Sequence, residues 1–144
     1  MATTTFSGPV KAGDIREGSG ANVGSVLMAQ SAVIDIIGAT NEMLIGRLPS
    51  NSQIVDVILN VTTVSNDSGT ATVTIGNPSD TNAYLPSTNV KALGTTRGTL
   101  DTEATNVGTG VARTVIARFV GQNGNGTTGA ATATVLYIQN NNLS

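Results

Sequence analysis

The residues able to do chemistry are few, and none stands in a working arrangement. General acid–base catalysis most often uses histidine, and the chain contains no histidine and no cysteine. That removes thiol nucleophiles, disulfides and the nitrogen and sulfur donors of an ordinary zinc site. A serine nucleophile needs an activating base, and the only lysines are Lys11 and Lys91. Ser87 lies four residues before Lys91, in a stretch that reads as loop, with nothing to bury or orient the pair. Asp101 and Glu103 would share one face of a strand and make half of a calcium site, since calcium takes several oxygen ligands. Beside Arg97 they read more simply as a solvated charged turn. Asp67 and Asp80, next to Asn or Gly at strand ends, read as turn residues.

The remaining motifs are equally weak. Gly18-Ser19-Gly20 and the run Gly121–Gly129 (GQNGNGTTG) lack the strand-to-helix setting and the GK[ST] ending that let a glycine loop hold phosphate. The sequons at Asn60, Asn66 and Asn125 are expected by chance in a chain so rich in Asn and Thr, and mean nothing without secretion. The aromatic residues are Phe6, Tyr84, Phe119 and Tyr137, too few for a platform on which sugars or bases stack. No catalytic, cofactor-binding or metal-binding residue is expected, and no small-molecule substrate.

The composition describes what would position such residues. A chain of 144 residues fits one domain with one core. Only 11% of it is charged, against about 25% in ordinary soluble domains. Thr favours strands, whereas Gly, Asn and Ser favour turns. Strong helix formers are scarce. A net charge of −2, with scattered basic residues, argues against nucleic acid as a partner. No signal peptide is apparent at Met1–Phe6, and no apolar run approaches the roughly 20 residues of a membrane span. A soluble protein made in the cytoplasm is expected, with no membrane partner.

Along the chain, residues 1–24 form a polar, glycine-dotted leader with Phe6, Pro9, Val10 and Ile15 as its apolar anchors. It is either a frayed terminus or an arm that orders against a neighbouring subunit. Residues 25–144 hold the strand signals. Ser25–Ile37 reads as one long strand with a phase change, hence a bulge, near Ser31. Met43–Leu48 is a short strand ending before Pro49, and Ile54–Val64 is the most apolar strand, fit for the centre of a sheet. Thr70–Ile75 alternates, with Ala71, Val73 and Ile75 on one face. Ala83–Leu93 holds one short strand around Tyr84 and Leu85, interrupted by Pro86. Gly94–Gly110 reads as a long loop with a short strand near Thr99–Thr102. Val111–Val120 and Ala130–Gln139 flank Asn-Gly turn signals and should pair as a hairpin with Phe119 and Tyr137 in the core. This predicts an all-β protein: a two-sheet antiparallel sandwich of about seven or eight strands. Jelly-roll and immunoglobulin-like connectivities both fit, with a jelly-roll-like order preferred.

Several segments resemble small head proteins of tailed bacteriophages. They are the leader TTTFSGPVKAG (Thr3–Gly13), NVG (Asn22–Gly24), VLMAQSAVIDI, and LPSNSQIVDVILNVTTVSNDSGTATVTIGNPSD (Leu48–Asp80). The resemblance implies a capsid decoration, or cement, protein: a jelly-roll-like sandwich, bound as a homotrimer to the outer surface of the head and bridging major capsid proteins. It implies no catalytic residues and no cofactor. The leader, through Phe6, Pro9, Val10 and Ile15, would make the capsid or inter-subunit contact. The alternative is another virion component, a tail or receptor-binding sandwich. A non-viral adhesin or pilin-like module would be expected to carry a secretion signal.

Overall fold

Alternation of apolar and polar residues with a period of two, punctuated by Gly, Pro, Asn and Asp, produces strands and nothing else among the described residues. The computed structural model describes residues 26–50, 52–100 and 112–139. Eight strands follow in chain order: β1 (Leu27–Asp35), β2 (Thr40–Leu48), β3 (Ser52–Thr63), β4 (Ala71–Asn77), β5 (Asp80–Asn89), β6 (Gly94–Arg97), β7 (Arg113–Gly121) and β8 (Ala130–Gln139). They form two four-stranded sheets, β1-β8-β3-β6 and β2-β7-β4-β5. Every pairing is antiparallel.

The pairings are nested: β1 with β8, β2 with β7, β3 with β6, and β4 with β5. The chain behaves as one long hairpin, with its tip at β4–β5, wrapped so that successive pairs fall alternately in the two sheets. This is the jelly roll, and it decides the connectivity that patterning leaves open. The inner faces meet in a single core, with Ile34, Leu48, Val57, Leu59, Val73, Ile75, Tyr84, Val115 and Phe119 all buried. Each large apolar side chain so buried contributes about 1.5–3 kcal/mol relative to exposure. The alternation read at Thr70–Ile75 holds, with Ala71, Val73 and Ile75 in the core. Ile54–Val64 is central as expected, its strand β3 lying between β8 and β6.

The structure overturns four local expectations. The last two strands are not a hairpin: β7 lies between β2 and β4, and β8 lies in the other sheet between β1 and β3. The Gly121–Gly129 run therefore carries the chain from one sheet to the other across the roughly 10 Å between them. β1 has no bulge at Ser31; its register with β8 is unbroken from Leu27 to Asp35. The apparent phase change arises because apolar residues stand on both faces, Ile34 inside and Leu27 and Val33 outside. β5 runs through Pro86, which an edge strand tolerates because the missing N–H is not needed by a neighbour. The short strand is at Gly94–Arg97 rather than Thr99–Thr102, where it can pair with Val61–Ile58 of β3.

Candidate interaction surface

Strand directions divide the sandwich into two ends. At one end lie the β1–β2, β3–β4, β5–β6 and β7–β8 connections. At the other lie the entry into β1, the β2–β3, β4–β5 and β6–β7 connections, and the exit from β8. The stretches outside the described residues (1–25, 51, 101–111 and 140–144) all attach at this second end.

The first end is closed by hydrogen bonds centred on Asp67. Its residue is 1% exposed, buried but just beneath the surface. Oδ1 accepts from the backbone N–H of Gly69 at 2.7 Å and of Asn123 at 3.3 Å, and Oδ2 from that of Asn125 at 3.2 Å. One carboxylate thus joins the β3–β4 loop to the β7–β8 loop. Around it, Ser68 Oγ accepts from the side-chain amides of Asn123 and Asn125, each at 2.8 Å. Asn66 Oδ1 accepts from the N–H groups of Thr127 and Thr128. The β1–β2 loop joins through Gly38 N–H to the Gly126 carbonyl at 2.9 Å, and the β5–β6 loop through the Val90 carbonyl, which accepts from Ser65 N–H at 3.1 Å. Gly124, with φ of 63°, makes the turn that aims these N–H groups inward, as its Asn-Gly position predicts.

Burial by itself raises the Asp67 pKa, but the backbone N–H groups of Gly69, Asn123, Asn125 and Gly124 outweigh it and hold the carboxyl below its ordinary 3.8. A carboxylate receiving several N–H donors favours its charged form. Lys91 is also committed: its ammonium donates to the carbonyls of Asp67 at 2.7 Å and Gly69 at 2.8 Å. Ser87 stands on the exposed edge strand β5. The chemistry of this end is self-binding, and Asp67 is more than the turn residue the sequence implies.

The second end and the β1 side present a different surface. Among the described residues β1 is hydrogen-bonded on one flank, to β8. Its outward side chains Leu27 and Val33 are 55% and 74% exposed, and Leu27 lies across from Ile138 and Ala29 across from Leu136. Gln30 points the other way and pins β1 to the facing sheet, its Nε2 donating to the Arg47 carbonyl at 2.8 Å. Ser52 Oγ, buried at this end, has no hydrogen-bond partner among the described residues. Buried hydroxyls are ordinarily paired.

The sequence-predicted contact residues Phe6, Pro9, Val10 and Ile15 lie outside the described residues, as do the boundary after Gly24 and the Asp101–Glu103 pair. Arg97 bonds instead to Asp56, at 2.7 Å. Among the described residues no group of three His, Cys, Asp or Glu side chains is placed to hold a metal ion. Sequence reading missed β1 as an exposed edge. The available signal was a nine-residue strand with apolar residues of both parities and no charge before Asp35.

No family model matches the chain, and no curated protein matches it in sequence. Solved structures do match in fold. A chain of the acid-stable capsid of Helicobacter pylori bacteriophage KHP30 superposes with a TM-score of 0.63 at 21% identity, covering 81% of this chain and 90% of its own. A chain of the cyanophage Pam1 capsid asymmetric unit has a TM-score of 0.60 at 17% identity, covering 92% and 99%. A chain of the Ralstonia phage GP4 capsid has a TM-score of 0.57 at 19% identity, covering 94% and 91%. The paired coverages are nearly equal, so these chains are of much the same length as this one.

Proposed function

We propose that this chain is a structural virion protein that decorates, or cements, the outer surface of a tailed-phage head as a homotrimer bridging major capsid proteins. The observation that carries the reading is the fold match to chains of three phage capsid structures, each matched over nine-tenths or more of its own length. The physics agrees. Cement work needs a rigid body, which the jelly roll with its Asp67-centred end supplies, and an edge or arm that reaches a neighbour.

In this reading the leader, anchored by Phe6, Pro9, Val10 and Ile15, makes the capsid or inter-subunit contact. Ordering an arm costs about 1–2 kcal/mol per residue of backbone entropy, so one arm binds weakly. Three arms on one trimer bind together, each later contact being intramolecular. The role requires no cofactor or substrate.

The test is the copy number of the chain in purified particles, measured against the major capsid protein by quantitative mass spectrometry. Comparable copy numbers support a shell component. A handful of copies would move the chain to a tail or receptor-binding position, and absence from particles would overturn the virion role.

A further inference from the structure

Among the described residues the four sheet edges are β1, β6, β2 and β5, and three carry the devices that keep exposed edges from pairing with other chains. β2 bears Glu42 and Arg47 and a register shift between Leu44 and Gly46. β5 contains Pro86 and two register shifts against β4. β6 is only four residues long. β1 has none of these devices. It is nine residues long, in unbroken register, without proline, and uncharged until its last residue, Asp35. The outer face beside it is apolar at Leu27, Val33, Leu136 and Ile138.

We propose that the free edge of β1 accepts the leader segment Ala2–Phe6 of a second copy of this chain as an added strand. That segment reads Ala-Thr-Thr-Thr-Phe and is followed by Ser7-Gly8-Pro9. Thr and Phe are strand formers, and the proline ends the donor because it cannot contribute to a ladder. Threonine methyls and the Phe6 ring would cover part of the apolar face. The connector Ser7–Ser25 spans on the order of 60 Å when extended and about 25 Å on average as a flexible chain. A four-stranded sheet is only about 15–20 Å wide, so the connector reaches an adjacent molecule.

The connector also argues for a second copy over the chain's own body. Capping its own β1 would require closing a connector of nineteen residues (Ser7–Ser25), well beyond the about 2–5 residues of hairpin loops. As an exchanged arm the same length is an advantage. Such a contact joins two different surfaces, so it is heterologous and closes into a ring when the rotation permits. Main-chain hydrogen bonds would supply affinity, and the side chains of Leu27, Ala29 and Val33, exposed on one face, would supply register.

The proposal deepens the cement reading by naming its inter-subunit contact, yet its test uses purified full-length protein without particles, so failure here leaves the copy-number experiment unaffected. Light scattering across a concentration series would be combined with hydrogen–deuterium exchange of peptides covering β1. The expected result is an oligomer with protected β1 amides. Thr4→Pro, in the leader, should give a monomer in which β1 exchanges at least tenfold faster while the loops around Asp67 exchange as before. Val33→Lys, at the most exposed apolar position, should weaken assembly from the acceptor side. Unchanged assembly and β1 protection in Thr4→Pro would overturn the donor assignment. Unchanged assembly in Val33→Lys would overturn the acceptor. Protection of β1 in a monomeric wild type would show capping within one chain and likewise overturn the proposal.

Discussion

The two ends of this jelly roll use the same residue types to opposite effect. At the closed end Asn, Ser, Thr and Gly bond to one another across four loops around a buried carboxylate. At the second end the described residues show no comparable centre, and Ser52 Oγ lacks a partner among them. Low charge therefore does not mean low organisation. Neutral side chains build a rigid end where a single ionised acceptor gathers their donors.

The contrast is most directly broken at Asp67. Asp67→Ala should produce the largest loss, a fall in Tm of more than about 5 °C, because several part-buried N–H donors lose their acceptor together. The same residue sets a pH dependence. Its folded pKa lies below the ordinary 3.8, so its stabilisation is complete above the unfolded value and is lost as pH falls through the folded one. Thermal melts should hold steady near neutrality and decline in acid below 3.8. Asp67→Asn should flatten that acid slope.

Gly121→Ala is expected to come next, at about 1–3 kcal/mol by chemical denaturation, the cost of overpacking. Its new Cβ would clash with the Gly38 carbonyl and stand 2.9 Å from Asp67 Oδ2, and backbone in a tied loop cannot move aside. Gly46→Ala near the second end sharpens the comparison. Its Cβ would meet Gln30 Oε1, the end of a flexible side chain. The amide should swing away, losing the bond to Arg47 O and costing about 0.5–1.5 kcal/mol. A Gly46→Ala loss larger than that of Gly121→Ala would refute the view that the Asp67 end is the rigid one. The smallest effect is expected for Arg97→Ala, which removes an ion pair with Asp56 whose arginine is 73% exposed. About 0.2–1 kcal/mol is the range for such pairs, and a denaturation series at two salt concentrations checks it.

Much of the fold was legible because burial leaves its period in the chain. Ala71, Val73 and Ile75 alternate since one face of β4 meets the core, and Ile54–Val61 is apolar because β3 is central. Where that logic weakened, the expectations failed. Pro86 looked like a strand breaker because sequence does not say that β5 is an edge. Gly94–Arg97 looked like loop because its strand residues face solvent and exist as a strand only through β3. Asp67 looked like any turn aspartate, since its donors at Asn123 and Asn125 lie more than fifty residues away.

By itself the sequence determined the class of protein: all-β, one core, no histidine or cysteine chemistry, and turns at Asn-Gly and at Asn77-Pro78. These depend on local propensity and on which face of each strand is apolar. Only the tertiary structure decided which strands are neighbours, parting β7 from β8 and pairing β1 with β8 across a hundred residues. The physical reason is that a period of two encodes the face a side chain must present, while the choice of partner depends on how all eight strands bury those faces together. The same collective choice puts β1 at the edge of its sheet among the described residues and buries Asp67 beneath four loops.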